Sequence, residues 1–231
     1  MNIKDAIFMT ICNICGNTKT FLDMNKRKNV RCAVCNSLER HRLIRWTLEY
    51  YEYLSEFNFG KNKVLHLAPE YCTHRYLKHL VGGGYVCSDL EPKKYPHASP
   101  LKLALPGGFD IFPENYFDLI LHNHVLEHIP GNYQDHLQQF IRILRKNCRM
   151  IFTIPPVSTT KLSIQGGENL ETDEERIKLH GQRDHYKSFG KDFFEWFEKN
   201  KHLGVFEIID IPPNIRRELK GNGPVYVFTK Y

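Results

Sequence analysis

The sequence contains no apolar run close to the roughly 20 residues that a membrane-spanning helix needs. Residues 1–10 hold no basic segment followed by a long apolar core, so we expect no secretory signal and a cytoplasmic location. Internal repeats and low-complexity tracts are also absent. With 42% apolar and 25% charged residues in a length of 231, the composition is that of a globular chain with one large domain, or one medium domain and a small appendage.

Glycine is missing from a loop where nucleotide-binding folds often need it. Residues 64–68 are typical of a buried parallel strand, residues 71–80 of a helix, and residues 85–88 of a second strand. The loop after the first strand is Pro69-Glu70, without the G-x-G-x-x-G pattern that lets a backbone approach a pyrophosphate. This pattern disfavours a dinucleotide. It allows an adenosine ligand without phosphates, in which Glu70 faces a positive group.

Asp89 follows the second strand, 23 residues after His66. In β-α-β units the ligand lies at the carboxyl ends of the strands, where an acidic side chain can bind ribose hydroxyls. The simpler alternative is an ordinary crossover in which Asp89 only caps the loop. We favour the nucleoside interpretation, which makes Asp89 the first candidate for cofactor binding.

The seven cysteines do not indicate a disulfide framework, because their number is odd and no export signal is expected. Four of them form two C-x-x-C pairs, Cys12/Cys15 and Cys32/Cys35, separated by 16 residues. This spacing is typical of a four-thiolate zinc site, whereas two redox motifs would need a thioredoxin-like context. Such a site is structural, because it leaves no coordination position open for water.

A cluster of basic residues begins the next predicted helix, in a chain of net charge +6. The helix is predicted from residue 37 to about residue 57, with Ser37 as its N-cap. Cations in its first two turns oppose the helix dipole, so we expect a compensating protein carboxylate, ligand or phosphate group. The basic residues are Arg40, His41, Arg42 and Arg45.

The remaining pattern predicts an α/β fold with a mostly parallel sheet and an antiparallel final strand pair. A proline-rich stretch, 91–113, is expected to pass over the ligand, and the insertion 157–190 to act as a lid. Strands are predicted at 101–105, 117–121, 150–154, 205–211 and 225–229, and helices at 132–144, 171–179 and 192–199.

Residues 124–128 spell H-x-x-E-H, a signature of zinc peptidases. Two histidines at this spacing can share a metal when they lie on a helix. Here the motif follows a buried strand directly, and Pro130 breaks any helix after one turn. The context disfavours a peptidase, and we interpret His128 as a packed, hydrogen-bonded histidine.

The order of elements and motifs resembles the class I S-adenosylmethionine-dependent methyltransferases, and more closely the bacterial type-11-like group with an N-terminal zinc ribbon. The resemblance covers nearly the whole chain and implies a ribbon over 1–36, a connecting helix over 37–59 and a Rossmann-like methyltransferase domain over 60–231. The group's first loop also reads H-x-A-P-E, without glycines. The matching segments are 32–42, 64–70, 88–90, 117–130 and 181–193.

The chain departs from the group's pattern in three places. L-R-K-N-C at 144–148 replaces the usual helix exit L-K-P-G-G. D-H-Y-K-S-F-G at 184–190 replaces D-H-V-R-x-Y-G. The acid that usually leads the strand before Phe117 is absent or shifted to Asp110, so the resemblance defines no adenine contact.

The resemblance also implies roles for individual residues. Asp89 would hold the ribose hydroxyls, the segment from His66 to Glu70 would line the methionine end, and His124 would face the acceptor. Backbone atoms at the end of the third strand would face the cofactor. The implied cofactor-binding residues are His66, Ala68, Pro69, Glu70, Asp89, Leu90, His122 and Asn123.

The implied activity is methyl transfer from S-adenosylmethionine, and we expect O-methylation of a small molecule or a glycan precursor. His124, or His185 from the lid with Asp184 as its orienting acid, is expected to act as general base, because histidine titrates near neutrality. One alternative is an RNA methyltransferase that binds phosphates through the ribbon and the basic helix. Another is a non-catalytic binding module on the same fold.

Overall fold

A seven-stranded sheet organises the chain from residue 64 onward. The computed structural model describes residues 10–25, 27–53, 60–105 and 107–231. The strands are β1 (Phe21–Met24) and β2 (Arg27–Cys32), which form a separate hairpin, then β3 (Val64–Leu67), β4 (Tyr85–Asp89), β5 (Leu101–Lys102), β6 (Phe117–Asn123), β7 (Leu144–Thr153), β8 (Gly204–Ile208) and β9 (Tyr226–Lys230). The order across the large sheet is β5-β4-β3-β6-β7-β9-β8.

The sheet confirms the predicted α/β class with a mostly parallel order. Strands β5, β4, β3, β6 and β7 run parallel, whereas β9 pairs antiparallel with both β7 and β8. Every residue of β3 and β6 is buried, as expected for central strands with both faces covered. Because β3, β4 and β6 are parallel neighbours, their carboxyl ends bring Ala68, Asp89 and His124 to one edge of the sheet.

Helices cover both faces of the sheet and create two apolar cores. Phe140 and Phe193 belong to the core under α3 and α5, and Ile44 and Leu77 to the core under α1 and α2. Within the described ranges, no helix is both long and apolar enough to cross a membrane. The helices are α1 (Glu39–Tyr50), α2 (Tyr71–Val81), α3 (Tyr133–Ile143), α4 (Asp173–His180), α5 (Asp192–Lys199) and α6 (Pro213–Glu218).

The first helix differs from its prediction at both ends. Leu38 rather than Ser37 is the N-cap residue, so the predicted Ser37 cap is wrong. The Ser37 hydroxyl lies 3.1 Å from Cys12 Sγ, because the short connection to the ribbon turns it toward the cysteines. The helix ends at Tyr50, and the predicted continuation over 54–57 lies outside the described residues.

Two further elements differ near the edges of the sheet. The predicted edge strand 101–105 is only Leu101–Lys102, because it pairs with β4 at two positions. Helix α6 stands between β8 and β9, in a segment for which the sequence analysis predicted no element. It begins with Pro213, whose fixed φ angle and lack of a backbone N–H suit the first position of a helix.

A buried arginine joins the cysteine-containing hairpin to the main domain. The Arg42 guanidinium is fully buried. It donates hydrogen bonds to the carbonyl oxygens of Val30 at 3.0 Å, Ser37 at 2.9 Å and Leu219 at 2.9 Å. These oxygens belong to β2, to the connection before α1 and to the segment after α6, so one side chain ties three parts of the chain together.

Glu70 is the compensating anion for the basic helix. Its Oε1 lies 2.8 Å from His41 Nε2 and 3.2 Å from Arg40 Nη2. Burial raises the pKa of Glu70, but the charges of His41 and Arg40 outweigh it and lower that pKa to about 2. Of the three kinds of anion considered from the sequence, a protein carboxylate therefore balances the first turn of α1.

Candidate active site

A cavity of about 300 Å³ opens at the carboxyl ends of β3, β4 and β6. Ala68, Asp89 and His124 line it, one from the end of each strand. The proline-rich stretch forms the opposite wall, as the sequence suggested. This stretch contributes Glu91, Lys94, Tyr95, Leu103 and Leu105. The cavity occupies the position predicted for a nucleoside ligand and has a volume at the lower end of small-molecule sites.

Asp89 is held in a defined orientation in the cavity wall. Its Oδ1 accepts the Glu91 N–H at 2.7 Å. Burial raises the pKa of Asp89 above its ordinary value, against the opposing effect of the Glu91 amide. The buried Ser88 hydroxyl beside it has no hydrogen-bond partner among the described residues. The Asp89 carboxylate can bind the hydroxyls of a ribose.

A second cavity of about 860 Å³ adjoins the first. Its lining includes Glu70, Asn123, Glu127, Thr153 and His185. The two cavities share Ala68, Tyr95, His124, His128 and Asp184. Two adjoining cavities with a common wall are suited to a reaction between two bound molecules.

His124 lies in the wall that the two cavities share. Its backbone φ is +50°, in the left-handed region that non-glycine residues adopt uncommonly and mostly at turns or functional sites. The imidazole Nδ1 lies 3.2 Å from Glu127 Oε1, and the side chain is 33% exposed. The imidazole is therefore accessible, with a carboxylate beside it.

His185 belongs to the insertion 157–190, yet it is only 5% exposed. Burial lowers its pKa, so the imidazole is neutral near pH 7. The insertion is attached at this point to the turn after β6. The Tyr186 N–H donates to the Glu127 carbonyl oxygen at 2.8 Å, and His128 Nδ1 donates to the Asp184 carbonyl oxygen at 2.7 Å.

The H-x-x-E-H motif does not form the helix that a zinc peptidase requires. Residues 126–128 are a single 3-10 turn. His128 is hydrogen-bonded, as interpreted from the sequence, but it is 35% exposed and lines both cavities. Sequence reasoning also missed Glu127, which is fully buried beside the larger cavity. In the sequence, the H-x-x-E-H motif was the one feature that pointed to Glu127 and His128 as functional residues.

Three of the predicted cofactor-binding residues lie outside both cavity walls. His66 Nδ1 lies 2.7 Å from the Tyr85 hydroxyl, and the His122 ring is stacked between two phenylalanines. Burial lowers the pKa of each of these histidines to about 3. Pro69 contributes its carbonyl oxygen to a hydrogen bond from His97 at 2.9 Å. Of the rest, Ala68, Asp89 and Leu90 line the smaller cavity, and Glu70 and Asn123 line the larger one.

The four predicted zinc ligands lie together. The sulfur atoms of Cys12, Cys15, Cys32 and Cys35 all lie within 4.8 Å of one another. The Cys12–Cys35 and Cys15–Cys32 Sγ distances are 3.5 Å and 3.6 Å. A tetrahedral zinc site with Zn–S bonds of about 2.3 Å places its sulfurs about 3.8 Å apart, so the cluster has the dimensions of a four-thiolate site.

No protein-family model and no curated protein matches this chain. Among solved structures, it is similar to a SAM-dependent methyltransferase from Archaeoglobus fulgidus at 14% identity and a TM-score of 0.51, over 82% of this chain and 94% of that one. It is also similar to the CMeT domain of the citrinin polyketide synthase at 14% identity and a TM-score of 0.51, over 84% of this chain and 54% of that one. The chain therefore has the class I methyltransferase fold, with a cysteine cluster that fits a small N-terminal zinc ribbon.

Proposed function

We propose that the protein transfers a methyl group from S-adenosylmethionine to a small molecule or a glycan precursor. One observation carries the proposal: two cavities meet at the carboxyl edge of a class I methyltransferase sheet, with His124 in their common wall. The smaller cavity would hold the cofactor and the larger one the acceptor. The cofactor supplies a methyl group on a sulfonium, which is already a good leaving group.

The residues around the smaller cavity fit an adenosine ligand. Asp89 would bind ribose hydroxyls, while Ala68 and Leu90 add apolar contacts. One oxygen of Glu70, Oε1, already pairs with His41 and Arg40. Its second oxygen, Oε2, is buried without a partner among the described residues and remains available to a ligand.

Oxygen is the acceptor atom that this site serves best. A hydroxyl needs a general base, which contributes about 10²- to 10⁴-fold to the rate. His124 would accept the proton at the wall between acceptor and cofactor, and the Glu127 carboxylate would stabilise the resulting imidazolium. His185 lines only the larger cavity and is the second candidate for the base.

We predict that Asp89→Ala weakens binding of S-adenosylmethionine and S-adenosylhomocysteine by the same factor, about 10- to 100-fold. The loss corresponds to about 1.4–3 kcal/mol, the usual value of a hydrogen bond to a charged group. Calorimetric titration measures both affinities. Asp210→Ala, at an exposed position, is the matched control. Unchanged affinities in Asp89→Ala would remove Asp89 from the cofactor site.

We also propose that the four cysteines bind one structural zinc ion. Removing it by Cys32→Ser is expected to destabilise the protein by about 3 kcal/mol, because the hairpin has almost no apolar core of its own. For a chain of this size the melting temperature Tm would fall by about 6–12 °C. Elemental analysis and calorimetry test this, with Cys148→Ser as control. Equal zinc content in Cys32→Ser and the native protein would contradict the assignment.

RNA is the second candidate acceptor, because a groove beside the ribbon carries basic and aromatic residues. The groove is lined by Arg45, Arg75 and Lys78 together with Tyr71 and Tyr76. The charges of α1 argue against this candidate. Arg40 pairs with Glu70 and Arg42 is buried, so the helix offers little positive charge to a phosphate. If RNA is the acceptor, the affinity of the protein for RNA must fall steeply as the salt concentration rises, and it must be lower in Arg75→Glu than in the native protein. We expect neither.

A further inference from the structure

The Glu127 carboxylate is buried without an adequate partner. It is 0% exposed, and neither of its oxygens has a hydrogen-bond partner among the described residues. Among the described residues its ion pairs are with histidines: His124 Nδ1 at 3.2 Å, which is not aligned as a hydrogen bond, and His128 Nε2 at 4.0 Å. Lys187 donates instead to the Ile129 carbonyl oxygen. A buried carboxylate costs several kcal/mol unless a cation compensates it.

The orientation of His128 is that of a metal ligand. Its Nδ1 lies 2.7 Å from the Asp184 carbonyl oxygen and 3.7 Å from that residue's carboxylate. A carbonyl oxygen only accepts, so Nδ1 carries a proton and the neutral ring has its lone pair on Nε2. Metal-bound histidines commonly donate their other N–H to a backbone carbonyl in this way. Nε2 therefore presents a lone pair toward Glu127 at 4.0 Å, too far for a direct hydrogen bond.

His185 completes a group of three from the lid side. Its ring centroid lies 4.9 Å from that of His128, nearly perpendicular to it. Ligand atoms of Glu127, His128 and His185 all lie within 4.8 Å of one another. The hydrogen bonds of Asp184 and Tyr186 to His128 and Glu127 fix the backbone on both sides of His185.

We propose that Glu127, His128 and His185 bind a divalent transition-metal ion in the wall of the larger cavity. Two imidazoles and one carboxylate form a donor set used for zinc and non-haem iron, and it leaves coordination positions open. Bonds of about 2.1 Å place such ligands about 3.0–3.5 Å apart, so the three side chains would move closer together by up to about 1–2 Å on binding the ion. This site is separate from the four cysteines, whose donors are all sulfur.

The open coordination positions would take oxygen atoms of the acceptor. This step rests on the proposed methyltransferase function, whereas metal binding itself does not. An acceptor with two neighbouring hydroxyls, such as a vicinal diol, would chelate the ion and bring a hydroxyl next to His124. The metal thus narrows the acceptor class from small molecules in general to polyhydroxylated ones.

Cobalt(II) titration tests the metal site in the full-length protein. The cysteine cluster is first filled with zinc, and Co²⁺ is then added while absorption and heat are recorded. The native protein is expected to bind one further ion, with the weak visible bands of nitrogen and oxygen coordination and no thiolate charge-transfer band. In His185→Gln and Glu127→Gln the affinity is expected to fall at least about 10-fold. The exposed variants His202→Gln and Glu198→Gln are the matched controls.

Two results would overturn the metal site. One is a native protein that binds no ion beyond the zinc at the cysteines. The other is unchanged Co²⁺ affinity in folded His185→Gln and His128→Gln, with folding checked by thermal melting. Titration with S-adenosylmethionine is run separately, with and without Co²⁺. Binding of Co²⁺ without binding of S-adenosylmethionine would retain the metal site and reject the proposed function.

Discussion

Arg42→Met is expected to lower the free energy of unfolding by about 3–5 kcal/mol. The guanidinium is fully buried and donates to three backbone carbonyl oxygens, those of Val30, Ser37 and Leu219. Methionine fills a similar volume but donates nothing, so the Val30 and Leu219 oxygens lose this donor, whereas the Ser37 oxygen keeps the Cys32 N–H at 2.9 Å. Each such loss costs about 1–3 kcal/mol, offset in part because no charge is buried any longer. For a typical domain this is a large share of the total stability.

Urea unfolding of the zinc-loaded protein measures the effect. Arg75→Met is the matched control, because Arg75 lies exposed on α2 and its loss should change stability by less than about 0.5 kcal/mol. Arg42→Met is also expected to release zinc at a lower chelator concentration, since Arg42 holds β2 against α1. Equal stability of the two variants would show that Arg42 does not join the hairpin to the domain.

His124→Asn is expected to reduce the rate of methyl transfer by about 10²- to 10⁴-fold while leaving cofactor affinity within about threefold. Asparagine is a deliberate choice. It tolerates the left-handed backbone that His124 adopts at φ +50°, so the variant removes the imidazole without straining the turn. The remaining rate would come from positioning the two molecules in adjoining cavities.

The rate is measured as transfer of a labelled methyl group from S-adenosylmethionine to a polyhydroxylated acceptor found by screening. Exposed His202→Asn serves as control. A full rate in His124→Asn would show that methyl transfer does not use His124 as its general base. A parallel loss of cofactor affinity would instead indicate that His124 acts in binding.

Local patterns in the sequence were sufficient for the framework of the site. The alternation from β3 through α2 to β4 identified the carboxyl edge of the sheet, and Asp89 lies there because it directly follows a strand. The spacing of Cys12, Cys15, Cys32 and Cys35 likewise predicted a group that the structure brings together. Asp89 and the four cysteines are each close in sequence to the strand or turn that positions them.

Contacts between distant segments could not be predicted. Glu70 compensates α1 from about 30 residues away, a contact that no local pattern in the sequence indicates. His66 and His122 stand in strands whose side chains alternate between faces, and only the packed structure shows that their rings avoid both cavities. Glu127 and His185 are 58 positions apart in the sequence and meet because the insertion 157–190 packs on the turn after β6.

Calorimetric titration of the zinc-loaded native protein with S-adenosylmethionine and S-adenosylhomocysteine tests the central claim most directly. We predict that each binds at one site per chain with micromolar affinity, in the cavity that Asp89 lines. Failure of folded, zinc-loaded protein to bind either compound would contradict the account and leave a binding module that has the methyltransferase fold without its cofactor.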